Sequence, residues 1–93
     1  MIAVRSFRIA VSAENSALVI PDIKGSTREK LVWLKNSGSQ NYLRISFPED
    51  EDGDYIELAP NEETPKIGGL RGGSKLVICG IGGATTLQMV VWE

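Results

Sequence analysis

Apolar and polar residues alternate along much of the chain, with the period of two that a half-buried β-strand requires. In Ser6-Phe7-Arg8-Ile9-Ala10-Val11, the apolar set Phe7, Ile9 and Val11 falls on one face, while Ser6 and Arg8 fall on the other. Tyr42-Leu43-Arg44-Ile45-Ser46-Phe47 repeats the period, and Tyr55-Ile56-Glu57-Leu58 repeats it briefly. Thr86 to Trp92 carries it again, with a more apolar second face. Two further runs, Leu31 to Leu34 and Leu76 to Cys79, are apolar at every position. They predict strands covered on both faces, by a second sheet or by another subunit.

Turn signals separate these runs. Asn15-Ser16, Pro21-Asp22, Lys24-Gly25-Ser26, Asn36 to Ser39, Asp52-Gly53-Asp54, Pro60-Asn61 and Gly82-Gly83 recur at intervals of roughly eight to twelve residues. That spacing predicts a small antiparallel β-sandwich, jelly-roll-like, of seven or eight short strands. The nearest helical candidate, Ser26 to Leu34, places β-branched and aromatic residues where a helix prefers Ala or Leu, so one short helical turn is the most expected there. The chain reads as all-β, with residues 1–93 forming a single domain.

Size changes the picture next. A chain of 93 residues buries only about two-thirds of the surface that its unfolded form exposes, which leaves stability marginal. Small domains offset this with disulfides, metals or association. One cysteine, Cys79, excludes an internal disulfide, and the absence of His excludes a Cys/His zinc site. Association with itself or with other chains is the remedy left. The first residues show no basic region followed by a long apolar run, so no signal peptide is expected. Apolar runs stop at four residues, far short of a membrane span, and a lone free thiol fits folding in a reducing cytoplasm.

The net charge of −2 hides a strong asymmetry. Residues 49–63 hold eight acidic side chains and no basic one, leaving ten basic against four acidic groups elsewhere, a balance of +6. Two readings stay open for this segment: a solvated loop, or a patch that docks on a basic surface and fixes register. Asp50, Asp52 and Asp54 are the candidate contacts; under the docking reading, replacing them with Asn weakens assembly more at low salt than at high. The basic residues are scattered without interleaved aromatics, so no nucleic-acid partner is expected, and no membrane partner either.

Candidate chemistry fails on inspection. Asp50 to Asp54 resembles the start of a calcium loop, but Tyr55 stands where that loop needs Gly, and Asn61 where it needs a bidentate Glu. Gly73-Ser74-Lys75 reverses the order of a phosphate loop and leads into a strand. Cys79 lies in an apolar strand with no His to activate it, and reads as a buried structural thiol. No His also removes the usual general base, and the carboxylates cluster in a polar loop instead of a desolvated cleft. No catalytic residue, cofactor or metal is expected; the chain is not an enzyme. Leu70 and Arg71, bracketed by glycines from Gly68 to Gly73, are expected at a loop tip, as a partner anchor or as an unpartnered hairpin. Trp33 is expected in the core, and Trp92 packed on its own domain or on a neighbour.

Three stretches taken together carry a likeness. Val32-Trp33-Leu34-Lys35-Asn36-Ser37-Gly38, then Leu43 to Phe47, then Tyr55 to Glu63 give a strand ending Lys-Asn-x-Gly, a strand with Ile-x-Phe, and a Leu-x-Pro-x-Glu turn. The closing strands around Leu76-Val77-Ile78 and Thr85 to Gln88 continue it. The pattern, over roughly residues 30–93, resembles small β-sandwich virion proteins of tailed bacteriophages. The resemblance implies a capsid cement or decoration protein, acting as a dimer or trimer that bridges subunits of a major capsid protein or another virion protein. It implies a virion location, after synthesis in the host cytoplasm, and no catalytic residues. A neck, tail or fibre component is the alternative within virions. A carbohydrate-binding module, with Trp92 or Tyr42 exposed, is the alternative from another class.

Overall fold

In a computed structural model, which describes residues 4–21, 29–47 and 55–92, the chain forms eight strands and two sheets. The strands are β1 (Val4–Val11), β2 (Ser16–Val19), β3 (Glu29–Asn36), β4 (Tyr42–Ser46), β5 (Tyr55–Leu58), β6 (Ile67–Arg71), β7 (Lys75–Ile81) and β8 (Thr85–Trp92). Sheet A has the order β1-β8-β3-β6 and sheet B the order β2-β7-β4-β5, antiparallel throughout. The pairing is nested: first strand with last, second with second-last, and so inward to β4 with β5. Rolling that long hairpin over brings β8 beside β3 and β7 beside β4. This is a jelly roll.

The alternation in the sequence places the core between the layers. Val32, Leu34, Leu87 and Val91 from sheet A and Leu43 and Ile45 from sheet B are wholly buried. Phe7, Ile9, Phe47, Ile56, Ile67 and Leu70 pack against them. Each buried side chain of this size is worth about 1.5–3 kcal/mol, which is what offsets the ordering of so short a chain.

Glu29 to Leu34 belong to β3, because their apolar residues serve a sheet and not a helical stripe; residues 26–28 lie outside the described chain. One sequence expectation needs correction. Leu70 is not at a loop tip. It pairs with Lys30 inside β6 and faces the core, because Gly68 and Gly69 absorb a bulge between the Lys30 and Val32 pairs. The tip falls two residues later, where Gly73 turns with φ +88° and Ser74 N–H donates to the Arg71 carbonyl at 3.0 Å. Arg71, at the end of β6, is exposed.

The motifs that carry the likeness meet around one side chain. Asn36 is fully buried, and its Nδ2 donates to the carbonyls of Asn41 and Leu58, each at 2.9 Å. Its Oδ1 accepts from Gly38 N–H at 3.1 Å and from Thr85 Oγ1 at 2.6 Å. Gly38 has to be glycine here, since a Cβ would collide with Thr85. The Leu-x-Pro-x-Glu segment makes a turn in which Glu62 N–H donates to the Ala59 carbonyl at 2.9 Å, with Pro60 second and Asn61 third at φ 67°. Glu62 Oε1 then accepts the Ala59 N–H at 3.1 Å, and the turn docks on β3 through Asn36 N–H to Glu62 O and Asn61 N–H to Asn36 O. Glu62→Ala is expected to cost about 1 kcal/mol in a urea titration, while Glu62→Gln, which keeps the oxygen, stays near the parent. Equal losses in the two variants would remove the cap from this account.

Candidate docking face

With sheet B covering one face of sheet A, the odd-numbered residues of β3 and the even-numbered residues of β1 and β8 point the other way. Register sets them in rows. Val4, Trp92 and Leu31 form the first, Ser6, Val90 and Trp33 the second, and Arg8, Gln88 and Lys35 the third. Val4 is 50% exposed and Leu31 45%, with Trp33, Val90 and Trp92 half-buried. Gly68 in the β6 bulge lies under Leu31, whose Cδ2 is 3.6 Å from where a Cβ would sit. Lys66 Nζ stands 4.8 Å from the centroid of the Trp92 ring, a cation–π contact at the margin of the apolar rows. The result is an apolar surface with Arg8, Lys35 and Lys66 at its margin.

This places one sequence candidate differently from expectation. Trp33 is not in the core: a two-layer fold covers the Val32 and Leu34 side of β3 and leaves the Leu31 and Trp33 side to solvent. Trp92 joins it on the same face. The run Leu31 to Leu34 is thus covered on one face by its own chain. Val90 lies on the apolar second face that the last strand shows in sequence, whereas Val4, at the start of β1, carries no such signal.

Sheet B presents a different surface. Arg44 lies across it, with its guanidinium 4.5 Å from the centroid of the Tyr55 ring and 3.8 Å from Glu57. Arg44 and Glu57 side chains are 41% and 38% exposed, so the pair is worth no more than about 1 kcal/mol. Cys79 pairs with Arg44 in register and, by the alternation of β7, faces outward from sheet B; it is buried and free, but set apart from the central cluster. Tyr42 and Tyr55 are about half exposed here, so Tyr42 and Trp92 lie on opposite faces and share no platform for a sugar. A shallow depression of about 270 Å³ is lined by residues 38–40 and 84–86, without a charged group. Asp50, Asp52 and Asp54 lie outside the described residues. Among the described residues no three His, Cys, Asp or Glu side chains gather as a metal ion would need.

No protein-family model matches the chain, and no curated protein matches it. Among solved structures it is similar to a chain from Bacillus endospore appendages, which form a novel family of disulfide-linked pili. The TM-score is 0.50 at 16% identity, over 99% of this chain and 87% of that one. The likeness is one of fold alone.

Proposed function

We propose that this chain is a structural subunit that acts by being built into a larger protein assembly. The observation that carries it is the outer face of sheet A, where Val4, Leu31, Trp33, Val90 and Trp92 form a continuous apolar surface on the outside of a small domain. Surfaces of this kind mark sites of protein association, and Trp is among the residues that dominate binding energy. The fold shared with a pilus protein supports a structural role. In its finer form the reading is a capsid cement or decoration protein of a tailed bacteriophage, supported by the likeness of residues 30–93 to virion proteins.

Sedimentation of the purified protein with phage heads, tails and empty shells tests both levels. Incorporation into heads, with greater resistance of the shell to heat, is the expected result. Trp92→Ala is expected to weaken incorporation at least tenfold, about 1.4 kcal/mol, while circular dichroism of the free protein stays that of a β-sandwich. Binding to tails alone would move the assignment to a tail or neck component. Failure to enter any particle, together with failure to self-assemble, would overturn the proposal.

A further inference from the structure

Sheet A ends on β1 at one side, and this edge differs from the other three. β1 runs for eight residues, Val4–Val11, without Gly or Pro, and keeps register with β8 over its whole length. β2 and β5, the edges of sheet B, have four residues each. β6, the far edge of sheet A, has five residues, two of them glycines, and a bulge. Short and bulged edges are among the devices that keep β proteins from pairing with other chains. β1 has neither. Alternate residues of an edge strand turn their N–H and C=O away from the sheet. Among the described residues, the backbone of β1 bonds to β8 and to nothing else. Its inward side is open as well, for Phe7 and Ile9 pack against the core yet stay half-buried.

We infer that β1 pairs antiparallel with β1 of a second copy of this chain, joining two A sheets into one of eight strands. The contact lies at the sheet edge and is separate from the outer face. A twofold axis normal to the sheet keeps like faces together, so the pairing centres on one residue. Centred on Arg8, it sets like charges directly opposite, which is destabilising. Centred on Ser6, it extends only from Val4 to Arg8. Centred on Phe7, it runs from Val4 to Ala10 and its pairs fit. Phe7 meets Phe7 on the inner side, an aromatic pair covering surface that each chain leaves open by itself. Arg5 lays its apolar stem along Ile9 of the second copy. On the outer side Ser6 meets Arg8, and Val4 meets Ala10, which carries the apolar rows across the seam. Arg8 thus selects the register and leaves the edge open to pairing. Both copies use the same strand, so the assembly closes at two.

Sedimentation velocity and cysteine cross-linking of the full chain test this. The unaltered protein is expected to sediment as a dimer. Ser6 is exposed, so changes there leave the core alone. Ser6→Glu, set opposite Arg8 of the second copy, is expected to tighten the dimer about fivefold, and Ser6→Lys to loosen it by about as much. Ser6→Cys mixed with Arg8→Cys is expected to cross-link at least tenfold more than either variant alone. In this register positions 6 and 8 face each other at about 4.5–5.5 Å between Cα atoms, while 6 with 6 and 8 with 8 are diagonal at about 7–8 Å, beyond disulfide reach. The parent, whose Cys79 is buried, is the blank. Circular dichroism checks that each variant folds. Three results overturn the inference: a parent that stays monomeric, Ser6→Glu and Ser6→Lys shifting association in the same direction, or a mixture that cross-links no better than its components. A monomer that still enters phage heads would overturn this pairing and leave the proposed function standing. A dimer cross-linked in this register that enters no particle would uphold the pairing while removing the phage assignment.

Discussion

Asn36→Ala is expected to lower the stability of the protein by about 3–5 kcal/mol, a large part of the total for a domain of this size. Every hydrogen-bonding position of the Asn36 side chain is used, by Asn41, Leu58, Gly38 and Thr85. Those partners come from both layers: β3 and Thr85 of β8 belong to sheet A, Leu58 of β5 to sheet B. Truncation strands two carbonyls, an N–H and a hydroxyl where the bonds to Leu58 and Thr85 are buried. Each orphaned buried group costs about 1–3 kcal/mol. The loss corresponds to a fall of roughly 15–30 °C in melting temperature. Asn36→Asp sharpens the test, because it keeps shape and acceptor but turns an oxygen toward two carbonyl oxygens. If the Asn36→Asp variant melts with the parent, the amide does not hold the layers together.

Gly80→Ala is the second large effect, expected at about 3 kcal/mol in a urea titration. A Cβ on Gly80 would meet the backbone carbonyl of Gly83, on the far side of the β7–β8 turn. That carbonyl has little room to yield. Gly82 and Gly83 sit at φ +85° and +153°, and Asn41 donates to the Ala84 carbonyl at 2.9 Å. Gly80 N–H also reaches the Ser12 carbonyl at 2.7 Å, so a shift of β7 strains the β1–β2 connection as well. Gly73→Ala supplies the contrast: with φ +88° and nothing within 4 Å, it meets only the backbone cost of a left-handed residue, about 1–2 kcal/mol. Equal losses at Gly80 and Gly73 would refute the steric account.

The strands that alternate strictly were legible because one buried face imposes a period of two, as at Phe7, Ile9 and Val11. β2 escaped notice because Ser16 reads as a turn residue and only Leu18 of its four residues is buried. β6 escaped because Gly68 and Gly69 interrupt the alternation with a bulge, which made Leu70 look exposed. Apolar identity on both faces of β3 marks its outer side as well as its core side, but sequence cannot tell a third layer of the same chain from an open face; hence Trp33 reads as inward. The role of Asn36 was hidden for a different reason. Its partners Leu58 and Thr85 are 22 and 49 residues away, so the motif was visible while its function as a tie between layers was not.

The nested pairing has a consequence for how the chain reaches this state. Only β4 and β5 are close along the chain among the primary pairs, and every other pair encloses the ones within it. Direct meeting of β1 with β8 would close a loop spanning nearly the whole chain, whereas pairing outward from β4–β5 shortens the loop left for each next step. Folding by that route proceeds like a zip, over milliseconds to seconds as for other β-sandwiches. Until its last stage, β8 has neither β1 nor β3 beside it. The strand that completes sheet A is then the one most open to pairing with another molecule, so fast dilution into low protein concentration favours the native monomer fold over aggregates.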